Sequence, residues 1–190
     1  MTSAPSASTT TGALTVQASN ALGEELGDGA TVATLRERGR EAMTTLAMPS
    51  PRLDRPWKYL DSSSLEVDRF LPPGRISEGE NADLAVVGPG LRLQHDGTTV
   101  QGTPDIEGLT LSDLAEADET VLERLGSVVA PESSRLTALH YAFLRGGGLV
   151  QAEANAEIEK PVRITRRRNA PGMLTTPHTL IVTGANSHLT

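Results

Sequence analysis

Histidine is the side chain here best suited to proton transfer or metal ligation, because its neutral imidazole is both base and donor near neutral pH. Four occur, His95, His140, His178 and His188. No two stand at the i, i+4 spacing that places paired ligands on one helix face. His140 falls in an apolar helical pattern and reads as a histidine satisfied in a core or at an interface. His178 and His188 lie in β-prone stretches and would approach each other if those stretches stack, but a metal between them would want a third ligand and outer hydrogen bonds. Gly146-Gly147-Gly148 lacks the downstream Gly-Lys-Ser/Thr of a phosphate loop and does not open a helix after a strand, so it reads as a helix stop. Arg166-Arg167-Arg168 offers guanidinium forks suited to phosphate or carboxylate, although such a run ordinarily marks a solvated loop. Ser62-Ser63-Ser64 has no general base in a recognisable pattern, and Gly-x-Ser-x-Gly and paired-carboxylate patterns are absent or unsupported. These residues assign no catalytic, cofactor-binding or metal-ligating position, and the chain does not read as an enzyme.

Composition narrows the classes further. There is no cysteine, which excludes disulfides, thiol nucleophiles and thiolate-held clusters within this stretch. The net charge of −7 and the five aromatic residues, 3% of the chain, argue against nucleic-acid binding, which wants a basic surface and stacking rings. No apolar run approaches the roughly 18–20 residues that cross a bilayer. No Lys or Arg precedes Arg36, whereas a secretory signal needs a basic start and a transit peptide needs arginines. A cytoplasmic setting is the resulting expectation.

The elements that must position these residues follow from periodicity. Residues 1–30, rich in Ala, Ser, Thr and Gly, are expected to form a flexible leader without a burying face. Thr31–Ala47 predicts a helix with Val32, Leu35, Ala42, Met43 and Leu46 on one face and Arg36, Arg38, Arg40 and Glu41 opposite, ended by Pro49 and Pro51. Trp57 and Tyr59 are expected to be largely buried, tying the proline-rich lead-in to the body. Residues 81–102 predict short strands or hairpins around Gly88-Pro89-Gly90 and Asp96-Gly97. Two further helices are expected, one from the stripe Leu111, Leu114, Val121, Leu122 and Leu125, the other from Leu136 to Leu144 after Pro131. After the glycines the chain switches to short β-prone runs at 149–155, 162–166 and 179–183, expected to pair as parallel strands. Basic and acidic counts change there from 12 and 21 over residues 1–150 to five and three over 151–190. Asn186-Ser187-His188-Leu189-Thr190 reads as a strand beginning, so a truncated chain is expected.

Two stretches carry a family likeness. Asp54-Arg55-Pro56-Trp57-Lys58-Tyr59-Leu60-Asp61 resembles the Trp-Lys/Arg-Tyr/Phe signature after the N-terminal helix in the SufD branch of the SufB/SufD family of iron–sulfur cluster assembly proteins. LTALHYAFLRGGGLVQAEANAEIEKPVRI, residues 136–164, followed by TPHTLIVTGANSHLT, is similar to the family's core pattern. In that pattern a helix ending Ala-Leu-Asn-x-Ala-Phe meets glycines, strands, a Glu-x-Pro-Ile/Val turn and a Pro-Arg-x-Leu-Ile-Val-x-Gly segment. The likeness spans roughly residues 40–190. It departs at His140, where Asn is frequent, at His178, where Arg is common, at Arg55 for Glu and at Leu60 for Thr. Lack of cysteine fits the SufD branch better than SufB.

The resemblance implies an α+β chain: a leader at 1–30, a helical and mixed region at 31–147, and the first rungs of a right-handed β-helix at 148–190. It implies a scaffold role in which a SufB-like protein and the ATPase SufC are the partners, with no nucleic acid and no membrane. The iron–sulfur cluster would be handled by the whole complex and not bound by this segment, because the family's cluster-linked histidine and SufC-docking helices would lie beyond Thr190. Two rival readings are a β-helix carbohydrate-active enzyme and a small interaction module using its helices and Arg166–Arg168. Residues 149–190 hold no Asp and only Glu153, Glu157 and Glu159, a poor supply for the carboxylate or calcium chemistry of such enzymes.

Overall fold

The computed structural model describes residues 13–52, 54–59, 65–74, 91–95, 100–102, 106–166 and 172–190. The expectations for residues 1–12, for Ser62-Ser63-Ser64, for the turns at 88–90 and 96–97 and for Arg167 and Arg168 lie outside these residues. The fold mixes helices and strands, and none of its described sheets closes on itself.

Three helices form the N-terminal layer: α1 (Val16–Leu26), α2 (Ala30–Thr45) and α4 (Arg135–Ala142), with a single turn, α3 (Glu119–Leu122), between. The expectation of an unpacked leader fails from Leu14 on. Thr15 caps α1 by accepting from the Ala18 N–H, Gly27 ends it in the left-handed conformation at φ 65°, and Ser19 and Leu22 are buried. Small residues make this helix inconspicuous in sequence, yet one of them, Ser19, is fully buried and reaches the end of α4. α2 and α4 are the most extensively packed helices, and Gly39 is the reason they can meet. A Cβ there would sit 2.6 Å from the Ala142 nitrogen and 2.8 Å from the Ala138 oxygen. The residue that weakens α2 as a helix is therefore what lets it pack.

Arg36 corrects the expected polar face of α2. It is only 1% exposed, and its guanidinium pairs with Asp28 through Nε (2.5 Å) and Nη2 (2.9 Å). The same group donates from Nη1 to the Ala142 oxygen (2.9 Å) and from Nη2 to the Leu144 oxygen (2.8 Å). These carbonyls at the end of α4 have no helical partner of their own. Ser19 Oγ also donates to Ala142 O, and Thr176 Oγ1 donates to Phe143 O, each at 2.5 Å. Side chains from α1, α2 and the segment before the last long strand thus satisfy the end of α4.

The expected helix after Thr110 is instead a strand. β3 (Leu109–Asp113) pairs antiparallel with β4 (Gly147–Ala152), and only a 3-10 turn at Leu114–Glu116 and the single turn α3 remain helical. Leu109 and Leu111 alternate with Thr110 and Ser112, a period of two that the later leucines obscure, and pairing with β4 decides between the readings. Trp57 is half-buried in a short turn at Arg55–Trp57 and Tyr59 is 92% exposed, which overturns the anchor expected of them. That turn closes through its own backbone, with Trp57 N–H donating to Asp54 O, and neither aromatic joins a core cluster. Among its described residues, Pro49, Val67 and Pro73 are the buried ones in this lead-in. Two core clusters share α4: Ala138, Leu139, Ala142 and Phe143 pack with Leu22 and Met43, while Tyr141 packs with Leu35, Leu114, Leu125, Leu144 and Leu149.

The remaining strands are β1 (Leu91–His95), β2 (Val100–Gly102), β5 (Glu157–Ile158), β6 (Val162–Arg166), β7 (His178–Thr183) and β8 (His188–Leu189). They form sheets in the orders β2-β1-β6, β3-β4-β7 and β5-β8. β1 and β3 lie before residue 148, so the sheets cross the expected boundary there. As the tail pattern predicts, β4 pairs parallel with β7 and β5 with β8. Gly147 lies beside His178 and Glu157 beside His188. Both pairings have the 31-residue separation that also divides Asn155 from Asn186. Those asparagines each turn the chain in the left-handed region, at φ 62° and 57°, and Asn186 Nδ2 reaches Asn155 Oδ1 at 3.4 Å. Between the two turns the backbones exchange bonds, Asn155 N–H to Ala185 O and His188 N–H to Ala156 O, both 2.8 Å.

Two substitutions test this packing. Gly39→Ala should lower stability by about 1–3 kcal/mol, the range for forcing atoms into a packed contact, although Ala favours an isolated helix. Arg36→Met should cost about 3–5 kcal/mol by leaving Asp28, largely shielded from water, without its partner and the Ala142 and Leu144 carbonyls without this donor. Urea melts of the two variants read both effects. A stabilised Gly39→Ala protein would show that α2 and α4 do not approach this closely.

Candidate functional site

α4 and β7 together build the one cluster of titratable rings among the described residues. Ser134 caps α4 by accepting from the Thr137 N–H at 3.1 Å, which sets the helix so that His140 points toward the sheet. β7 starts at His178, opposite Gly147 on β4. A Cβ at Gly147 would lie 2.2 Å from the His178 carbonyl oxygen, so only glycine lets β7 begin this close. The triple glycine is therefore not a helix stop, since α4 already ends at Ala142. It is the seat on which His178 is placed.

The result is a hydrogen bond between His140 Nε2 and His178 Nδ1 at 3.0 Å, with ring centroids 5.3 Å apart. Sequence reasoning paired His178 with His188; the fold pairs it with His140. His188 sits exposed in β8 beside Glu157, on a different sheet, and His95 is placed in β1. Tyr141 lies edge-on to His140, centroid distance 5.2 Å, and its hydroxyl donates to the Val129 oxygen at 3.0 Å. Arg166 ends β6, exposed, with Nη2 donating to Thr179 Oγ1 at 2.5 Å.

Electrostatics keep both imidazoles neutral. Burial pushes the His140 pKa down to about 4, with the His178 ring and the Arg166 charge acting in the same direction. Burial, then Arg166, also lowers His178. Neutral rings can share one proton across the 3.0 Å contact, one donating and the other accepting. His178 and Tyr141 open onto a groove of about 550 Å³ between β7 and the loop Arg124–Val129. Val128, Val129 and Ile181 leave apolar surface exposed around it.

This cluster can accept protons or donate lone pairs, but the nucleophile–base–orienter arrangement of catalysis is not assembled there. No group of three or more His, Asp or Glu side chains converges among the described residues. No helix of the described chain is long and apolar enough to cross a membrane. The pair was missed in sequence because its members are 38 positions apart, one on a helix and one on a strand. The only local signal was a histidine in an apolar helix face. No protein-family model matches the chain, and comparison with curated proteins finds no match.

The depressed pKa values make stability depend on pH. The unfolded chain binds protons at the ordinary histidine pKa near 6.5, and the folded His140 binds them only near 4. This contribution is therefore complete above about pH 6.5 and is lost as pH falls toward 4. Urea midpoints should drop across that window, and the drop should be smaller in His140→Gln. Parallel pH profiles for the two proteins would remove the pair as its source.

Proposed function

We propose that this chain is a scaffold component of a SUF-type iron–sulfur cluster assembly complex, acting with SufB-like and SufC-like partners. The observation that carries the reading is the repeated 31-residue offset. β4–β7 and β5–β8 stack in parallel with their asparagine corners one above the other. Stacked short parallel strands are the local geometry of a solenoid rung, and in this reading the rungs form a right-handed β-helix on the helical N-terminal layer. The order of the tryptophan signature, the α4 helix, the glycines and the Pro-x-x-Leu-Ile-Val-x-Gly segment Pro177–Gly184 supports the same family.

The role is architectural. α1, α2 and α4 hold the start of the strand stack, and the partners supply ATP hydrolysis and thiolate chemistry that a cysteine-free segment does not. The cytoplasm, where such a complex works, is part of the same proposal.

Co-expression at full natural length with SufB-like and SufC-like proteins is the test. A complex of all three should survive size exclusion. Gly184→Val should weaken it, because a Cβ at Gly184 would lie 2.3 Å from the Ala154 nitrogen in the stacked turn. The 190-residue chain alone should take up no iron–sulfur cluster on anaerobic reconstitution. Failure to associate with either partner, or a stoichiometric cluster spectrum from the chain alone, would overturn the scaffold role.

A further inference from the structure

The geometry points to a mononuclear site for a zinc-type divalent cation, held by His140 Nε2 and His178 Nδ1 and open toward the β7 groove. This inference is independent of the scaffold proposal and concerns a single imidazole-bound ion, not a thiolate-held cluster.

Distance is the first support. Metal–imidazole bonds of about 2.0–2.1 Å, at angles between octahedral and tetrahedral, hold two ligand nitrogens about 2.8–3.4 Å apart. The two ring nitrogens already face each other at 3.0 Å. The nitrogens now oppose each other along their hydrogen bond. An ion takes the place of that bond once each ring turns about its own side-chain torsion and the two lone pairs converge on a point beside the line. Rigidity is the second. His140 rides on a capped helix, and His178 is fixed by strand pairing at Gly147, so neither ring must be gathered from a mobile loop. The protonation state is the third. Both rings are held neutral by burial, the form that ligates. A neutral imidazole ligates through one nitrogen and keeps its proton on the other, so the shared proton moves to the far nitrogen of its own ring and binding releases none.

Access and coordination number follow from the groove. His178 and Tyr141 line it, and Tyr141 is already committed to Val129 O. No third His, Asp or Glu joins the pair among the described residues. The remaining positions therefore go to water or to an incoming ligand, which makes the site open rather than closed. Imidazole donors favour zinc, copper, nickel and iron over magnesium or calcium.

Arg166 opposes the ion. Its charge acts on both rings, and its guanidinium is tied to Thr179 next to His178. Removing that charge should tighten binding, an effect that adventitious adsorption to exposed histidines would not show.

The experiment titrates Zn²⁺, and Co²⁺ as a spectroscopic probe, into the chain. One equivalent should bind, and at about a hundred times the Kd the melting temperature should rise by roughly 5–10 °C. His140→Gln and His178→Gln should each lose the shift, His188→Gln should keep it, and Arg166→Gln should bind more tightly. Because the first two variants touch a packed interface, ¹⁵N shifts of the histidine rings in the unaltered protein give a second readout. Zn²⁺ should move the His140 and His178 ring nitrogens and leave His188 in place. Unmoved His140 and His178 signals at millimolar Zn²⁺, or binding that survives both substitutions together, would overturn the site.

Discussion

The end of α4 is the constraint on which the rest of the structure depends. Three successive carbonyls, those of Ala142, Phe143 and Leu144, leave the helix with no turn to receive them, and they do so inside the protein. Each needs a donor or costs about 1–3 kcal/mol. Ser19, Arg36 and Thr176 supply the donors, and Asp28 neutralises the arginine that serves two of them. Those contacts fix α1 and α2 on one side of the junction and the approach to β7 on the other. β4 leaves this junction with both faces covered, so its direction, and that of the strand stacked on it, is set by how the helix ends.

Some of this was legible in sequence. The 3.6-residue periodicity of residues 31–47 and 136–144 marks α2 and α4 correctly, and the short β-prone runs after Gly148 mark β4, β6 and β7. What sequence misjudged shares a cause: residues whose roles depend on a distant partner. Arg36 looks like a solvated charge until the carbonyls of α4 are brought to it. Gly39 looks like a defect until α4 lies across it. α1 looks too small-residued to pack, though Ser19 is buried because it is small. Tyr59 looks like an anchor, but its side chain stands in solvent.

The stacked turns show the same limit in milder form. Ala154-Asn155 and Ala185-Asn186, followed by Ile158 and Leu189, repeat in the sequence itself. Two copies are too few to stand out, and the left-handed asparagines become meaningful only when one lies above the other. The histidine pair is harder still. Its geometry is the product of a helix phase and a strand register, neither of which a local pattern of residue types determines. Its neutral state in turn comes from burial that both elements create together.

The α4 junction also has a consequence for the order in which the chain can mature during synthesis. Its donors are 123 and 106 positions upstream for Ser19 and Arg36, and 33 downstream of Phe143 for Thr176. A chain emerging N-terminus first presents the α1 and α2 donors before the carbonyls exist, and Thr176 only after them. Ala142 and Leu144 can thus be satisfied while the Phe143 carbonyl still waits, its vacancy filled by water until the segment leading to β7 leaves the ribosome. The helical layer is then a template assembled early, and each parallel strand arrives at a surface already shaped to receive it.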